Sequence, residues 1–296
     1  MNIIRKGLLA TAAAVTLAFG TAGSAQAHAF ADSILNISNL RFLNSAGTQF
    51  TAGDFSTLIV NNTRTATGTA VGYVPASDIS FTGPACAGDC PPIPFVPRFA
   101  PGPVPPVPFN TFGYGDTQLI GSAIEAGGAN ASTRATASAA PGQTLGSGNT
   151  GTTSSFIFAL GAADSMTVAF DADAYTVAHV PVGTTDPSSA SARLTWSIQI
   201  IDLDSGDSVL SFSPDELNGD SNVSRTEVLP GTTTYTFADF FEATSEILTA
   251  GTTYQLTINH SSFADATQEA VPEPATLAIL AAGLLSMSLV SRRRKS

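Results

Sequence analysis

The sequence predicts an all-β body, an antiparallel β-sandwich of jelly-roll-like type, preceded by an N-terminal signal helix and followed by a single C-terminal transmembrane helix. Three observations lead to this prediction. Segments with period-two alternation recur through the second half of the chain and are separated by turn-forming residues. A cationic and then apolar segment opens the chain. A second apolar segment, followed by four cations, closes it.

Residues 1–27 have the pattern of a secretory signal peptide. Two cations precede an apolar run, and Ala25 and Ala27 fit the A-x-A cleavage pattern. An N-terminal membrane anchor is the alternative, but glycine and polar residues interrupt the run well short of the roughly 20 apolar residues that a span needs. We therefore expect export and a mature chain that begins at His28.

The body, residues 28–271, is strongly acidic. It holds six basic and 22 acidic residues and therefore has a net charge of −16. Because nucleic-acid binding depends on Lys and Arg neutralising phosphates, this charge argues against a nucleic-acid partner. The same charge favours solubility outside the cell and disfavours adsorption to anionic lipid.

A cysteine pair opens a proline-rich segment, residues 84–108, which contains ten of the 18 prolines of the chain. Proline fixes φ and lacks an N–H donor, so this segment is predicted to be an extended loop insertion rather than part of a sheet interior. A ligand for an SH3-type domain is the functional alternative. Cys86 and Cys90 are expected to form a disulfide in an oxidising compartment, because two thiolates without nearby histidines supply only half of a tetrahedral metal site.

A stretch of small residues, 121–153, is either a linker or a set of strands packed through small side chains. Beyond it the strand signal is strong. In RLTWSIQI, from Arg193 to Ile200, apolar residues alternate with polar ones, which places Trp196 on a core-facing side. Only residues 237–248, FADFFEATSEIL, have a helix-like spacing.

The segment IDLDSGDSVL offers the one weak metal candidate. Asp202, Asp204 and Asp207 could supply the oxygen ligands that Ca²⁺ prefers, but the spacing is not that of an EF-hand. Acidic residues around a glycine are also ordinary hairpin-turn chemistry. No nucleophile elbow or HExxH motif occurs, so we expect no enzymatic activity and no cofactor. Copper chelation by His28 as a free N-terminus is a further, sharper alternative.

The C-terminal segment, residues 272–296, combines three features in a fixed order. Residues 275–291 form a 17-residue stretch that would be about 26 Å long as a helix, which predicts a transmembrane span. A basic stop favours the cytoplasmic side: Arg292, Arg293, Arg294 and Lys295. Before the span stands a rigid triplet: Pro272, Glu273 and Pro274.

This order of triplet, span and basic end resembles the PEP-CTERM sorting signal of Gram-negative bacteria. The resemblance implies recognition by an exosortase, a membrane cysteine transpeptidase-like enzyme, with cleavage near the triplet. A transient inner-membrane anchor would then be followed by delivery to the cell surface or the extracellular matrix, often with exopolysaccharide. A plain anchor helix is the alternative interpretation.

The body also resembles the EDSA-type subgroup of such proteins in the segments FDADAY, SARLTWSIQIIDLDSGDSVLSFSPDE and LTAGTTYQLTINHSSFADAT. The EDSA letters themselves are absent. Together these features predict an exported, non-catalytic surface or matrix protein that is a substrate of an exosortase. The alternative function is a secreted carbohydrate-binding or carbohydrate-active module, with Trp196 as a candidate sugar-stacking residue.

Overall fold

The computed structural model describes residues 28–72, 77–81, 84–90, 98–104, 110–142, 144–182 and 187–269. Within these ranges the chain forms thirteen β-strands and two short 3₁₀ turns, and there is no α-helix. No helix in the described ranges is long and apolar enough to cross a membrane. The all-β prediction is confirmed, whereas the predicted signal helix and transmembrane helix lie outside the described residues.

Six strands form sheet A, in which every neighbouring pair is antiparallel. In spatial order they are β12 (Gly231–Thr244), β8 (Thr167–Val180), β1 (Ala29–Leu43), β6 (Ala129–Ala139), β5 (Phe112–Gly121) and β4 (Ala85–Gly88). Strands β1 and β6 lie at the centre. The short β4 and the 14-residue β12 form the two edges.

Sheet B has seven antiparallel strands. In spatial order they are β10 (Ser208–Phe212), β9 (Ser188–Asp202), β13 (Tyr254–Gln268), β7 (Thr144–Leu160), β2 (Phe55–Val71) and β3 (Ser77–Phe81), while β11 (Val223–Thr226) pairs with β9 beside β10. Such a pair of stacked antiparallel sheets is sandwich-like, and the jelly-roll type of connectivity stays a prediction.

The two sheets share a large apolar core at one end of the molecule. Phe42 of sheet A meets Phe156 of sheet B at 5.2 Å between ring centroids, and Phe170 meets Trp196 at 4.3 Å. These side chains are buried. Burial of a large aromatic side chain stabilises the folded state by roughly 1.5–3 kcal/mol, so this cluster supplies much of the driving force for folding.

At the other end the sheets pack through alanine and glycine. The buried cluster there consists almost entirely of alanine and includes Ala31, Ala137 and Ala266. A Cβ atom at Gly113 would lie 2.0 Å from the carbonyl oxygen of Ser147 in the facing sheet. The backbones are therefore in direct contact, much closer than the ~10 Å that usually separates stacked sheets. The stretch 121–153 thus forms strands packed through small side chains, and it is not a linker.

A polar pair of contacts separates the aromatic end from the alanine end. The Thr133 hydroxyl lies 2.8 Å from Nε2 of His260 and 2.7 Å from the Ser262 hydroxyl. All three side chains are buried. Buried polar groups are stable when they hydrogen-bond to one another, so these contacts tie β6 to β13 across the sandwich.

Residues 98–104 of the proline-rich segment lie over the outer face of sheet A. Phe99 is buried, and its backbone N–H and C=O both hydrogen-bond to the side chain of Asn36 at 3.1 and 3.0 Å. Arg98 forms an ion pair with Asp173. The segment also begins with an edge strand, β4, so it is more closely integrated with the sheet than a simple loop insertion would be.

The structure corrects the helix-like interpretation of residues 237–248. Residues 237–244, which have helix-like spacing, belong to strand β12, because β12 pairs with β8 along its whole length and that pairing outweighs the local pattern. In the first half of the chain, strand β2 has 17 residues. Its residues from Ser56 to Thr65 are mostly exposed, which explains its weak apolar signal.

Candidate functional site

The first described residues and the last ones lie at the same end of the sandwich. Strand β1 begins at Ala29, and strand β13 ends at Gln268. Ala29 and Ala266 belong to one buried alanine cluster. Both predicted membrane-directed segments therefore attach to the alanine end of the body.

The sorting segment follows directly from a central strand of sheet B. Gln268, the last residue of β13, pairs with Thr144 on one side and with Ser188 on the other. The backbone N–H of Glu269 then donates to the carbonyl of Pro187 at 2.9 Å. Hydrogen bonding within the body thus extends to Glu269, three residues before the triplet at 272–274. The triplet itself lies outside the described residues.

The other processing residues of the sequence prediction lie outside the described residues. Ala25 and Ala27 precede the described residues, and the four basic residues of the stop follow them. The adjoining His28 is buried, and its Nε2 lies 3.1 Å from the hydroxyl of Ser138. Burial, and after it the nearby imidazole of His179, lowers the pKa of His28 from 6.5 to about 4.

The burial of His28 argues against the alternative that this residue chelates copper. A metal-chelating imidazole needs an open side from which the ion and its ligands can approach. The ring of His28 is instead 1% exposed and packed on sheet A. In the part of the chain that the structure describes, no three His, Cys, Asp or Glu side chains gather into a group that could hold a metal.

Asp202, Asp204 and Asp207 lie at the opposite end of the sandwich, in the turn that joins β9 to β10. The Asp202 carboxylate accepts hydrogen bonds from the backbone N–H groups of Asp204, at 2.8 Å, and of Ser205, at 3.3 Å. Gly206 has φ +81, which the turn requires. This geometry is that of an Asx-type hairpin turn.

Cys86 and Cys90 are joined by a disulfide bond at the edge of sheet A. Cys86 belongs to β4, and Cys90 lies just beyond the end of that strand. A loop this small contributes little through loop-closure entropy. The bond therefore shapes the start of the proline-rich segment and is not a main support of the fold.

A buried polar cluster on the outer face of sheet A was not predicted from the sequence. Arg134 donates to both oxygens of Asp32 at 3.2 and 3.0 Å, and Thr136 donates to the same carboxylate at 2.7 Å. Beside them, Tyr114 donates to Asp116 at 3.0 Å. In the sequence, the only sign of this cluster was that isolated charged residues occur within strands composed mostly of small residues.

The proline-rich segment helps to close this cluster. Arg134 reaches the carbonyl oxygen of Ala100 at 3.5 Å. Burial raises the pKa of Asp116, and burial together with the Asp116 carboxylate raises the pKa of Tyr114. The cluster thus contains two different carboxyl groups. Asp32 is fully paired, whereas burial of Asp116 favours its protonated form.

Comparison with known proteins bears on the C-terminal segment. A family model described as the PEP-CTERM protein-sorting motif matches residues 270–295. No curated protein and no solved structure matches the chain. The sorting motif is thereby shown, and the likeness of the body to the EDSA-type subgroup stays a prediction.

Proposed function

We propose, from the premise that this chain carries a PEP-CTERM sorting motif and is thus targeted to an exosortase, that it is a non-catalytic surface or extracellular-matrix protein. The exosortase releases the body from a transient inner-membrane anchor in a Gram-negative host. The released body then joins the exopolysaccharide-containing matrix at the cell surface.

One observation carries this proposal: the connection between the folded body and the predicted span is very short. Six residues, 269–274, separate the last strand residue, Gln268, from the first residue of the predicted span. Fully extended, they reach about 20 Å. The alanine end of the body must therefore stand next to the bilayer before cleavage, which brings the triplet within reach of an enzyme embedded in that bilayer.

The composition of the connection suits proteolysis. Pro272 and Pro274 fix their own φ angles, and each disfavours a helical conformation in the residue before it. The helix of the predicted span is thereby kept from extending into the triplet. An extended segment between a folded body and a membrane is accessible to a protease, whereas a helical or sheet-paired segment is not.

The positions of two buried polar groups, His260 and Asp32, support a non-catalytic body. His260 is enclosed in the core between the two sheets, where no substrate could reach it. Asp32 is neutralised by Arg134 under the proline-rich segment. Each of these groups has a packing partner that accounts for its position.

The test replaces Pro272, Glu273 and Pro274 together with alanine in the native host. We expect export to continue while the C-terminal segment is retained, so that the protein stays in the membrane fraction at its unprocessed size. Pro101 and Pro103 replaced with alanine provide the matched control, because this variant also loses two prolines that flank one residue. Normal processing of the triplet variant would refute the sorting assignment.

A carbohydrate-binding or carbohydrate-active module is the second candidate function. Trp196 cannot be its sugar-stacking residue in this structure, because its side chain is 1% exposed and packs against Phe170. A different observation favours this candidate. The outer face of sheet B is largely polar and bears Arg193 as the single charged side chain of its five central rows, with a polar cleft at one of its ends.

A further inference from the structure

The outer face of sheet B presents five cross-strand rows of side chains from β2, β7, β13 and β9. The strand register places these residues side by side. We call them the neutral face. Its rows are Ile59, Ile157, Gln255 and Ile201; Asn61, Ser155, Thr257 and Gln199; Thr63, Thr153, Asn259 and Ser197; Thr65, Gly151, Ser261 and Thr195; and Thr67, Asn149, Phe263 and Arg193.

The neutral face differs in charge from the rest of the body. None of its twenty positions is an Asp or Glu, and its single charged residue is Arg193. The four strands contain two carboxylates: Asp265 lies in the row beyond Phe263, and Asp202 directly follows Ile201 at the end of β9. In a body of net charge −16, a region of this size without acid indicates a surface that meets an uncharged partner.

Hydroxyl and amide groups cover most of the neutral face, and some of them are held in place by one another. Thr153 donates to the side-chain oxygen of Asn259 at 3.0 Å, and the hydroxyls of Thr195 and Ser261 are hydrogen-bonded. Side chains fixed in this way lose little conformational entropy when a ligand binds. These four side chains are therefore already held in place on the face before a ligand binds.

A cleft of about 420 Å³ lies at one end of the neutral face. Its floor is formed by Asn149, Arg193 and Phe263, and the loop after the second 3₁₀ turn adds Asn218 and Asn222. The guanidinium of Arg193 lies 4.5 Å from the centre of the Phe263 ring. This volume is within the range of small-ligand sites.

The cleft contains hydrogen-bonding groups that have no protein partner within the described ranges. Asn218 is already engaged, because its side chain bonds the backbone of Trp196 and Pro214. The Asn149 amide and the Arg193 guanidinium make no such hydrogen bond to the described protein. Phe263 orients the guanidinium through a cation–π contact and leaves its donors available.

We infer that the neutral face binds an uncharged, hydroxyl-rich polysaccharide, with the cleft around Arg193 and Phe263 as the anchoring site. A polyanion would meet one cation on a body of net charge −16, so acidic glycans, nucleic acid and anionic lipid are disfavoured. The few large apolar residues of the face, three isoleucines and Phe263, argue against a stable protein interface. This inference rests on the proposed function in one respect, since it requires that the body be displayed outside the cell.

Affinity electrophoresis of the exported protein in native gels tests the inference. The gels contain one of three uncharged polysaccharides (soluble mixed-linkage β-glucan, dextran or galactomannan) or, for comparison, polygalacturonate. We expect retardation by at least one uncharged polysaccharide and none by polygalacturonate. Phe263→Ala and Arg193→Ala should each weaken binding about tenfold, equivalent to about 1.4 kcal/mol.

Two variants are matched controls. Phe240→Ala removes an exposed phenylalanine from sheet A, and Arg64→Ala removes an exposed arginine from β2 outside the five rows. Both should bind like the unaltered protein, and an unchanged melting temperature will show that each variant is folded. No retardation by any uncharged polysaccharide, equal loss in the controls, or stronger retardation by polygalacturonate would each overturn the inference. None of these results affects processing at the C-terminal triplet, so failure here is distinct from failure of the proposed function.

Discussion

The buried imidazole of His260 is expected to make the body sensitive to acid. Its side chain is 2% exposed, and its Nε2 is hydrogen-bonded to Thr133 in the core between the sheets. Burial lowers the pKa of His260 from 6.5 to about 3. The folded state therefore holds this ring neutral at pH values at which the unfolded chain takes up a proton.

The size of the effect follows from linkage. A histidine with its pKa lowered on folding contributes full stability above pH 6.5 and loses it as the pH falls toward the folded-state value. From a folded-state pKa of about 3 and an unfolded value of 6.5, the loss between pH 8 and pH 5 is about 2 kcal/mol. The pKa of His28, also lowered by burial, gives a loss of the same sign, whereas the raised pKa values of Asp116 and Asp265 act in the opposite direction.

Urea unfolding at pH 8 and pH 5 measures this loss. The single tryptophan, Trp196, is buried, so its fluorescence reports unfolding directly. His260→Asn should be less stable than the unaltered protein at pH 8. Between pH 8 and pH 5, however, its free energy of unfolding should fall by about 2 kcal/mol less than that of the unaltered protein. The contributions of the other titrating groups cancel in this comparison. An identical pH dependence in the two proteins would show that His260 is not held neutral by burial.

Two further predictions concern the sheet contact and the acidic turn. Gly113→Ala should destabilise the fold by about 3 kcal/mol or more in urea unfolding, because its Cβ would lie 2.0 Å from a backbone oxygen. In the control Gly219→Ala, the added Cβ has no atom within 4 Å, so stability should change by less than about 0.5 kcal/mol. Equal effects would contradict the close backbone packing. At equal ionic strength, millimolar Ca²⁺ should shift the melting temperature no more than Mg²⁺ does, because the turn at Asp202 acts as a hairpin. A calcium-selective shift that disappears in Asp204→Ala would identify a real ion site there.

Sequence periodicity predicted the aromatic end of the sandwich well. In RLTWSIQI, the alternation places Leu194, Trp196 and Ile198 on one side, and all three are buried. At this end the two sheets are far enough apart that large side chains must fill the space between them. The strands therefore alternate bulky and polar residues, a pattern that can be recognised in the sequence. The same reasoning failed at residues 237–248, where the outward Phe240 next to the inward Phe241 imitated a helical spacing.

The alanine end could not be predicted from hydrophobic periodicity. Where the backbones of the two sheets touch, there is no room for large side chains, so the apolar signal disappears even though the strands are regular. The alternation of Gly146 and Gly148 with polar residues was the remaining trace of a strand. The packing of residues 98–104 on the outer face of sheet A could not be predicted either, because the contact of Asn36 with Phe99 joins residues 63 positions apart. The sorting segment, by contrast, is recognised from consecutive residues and needs no tertiary structure.

The most direct test of the central claim is the intact mass of the protein recovered from the surface or medium of its native host. We expect a chain that begins at His28 and ends close to the triplet at 272–274, without the apolar segment 275–291 and the four terminal cations. Deletion of the exosortase of the host should restore the full C-terminus to the membrane-bound form. A surface or secreted protein whose mass extends through Ser296, or a truncated protein that persists without the exosortase, would contradict the account.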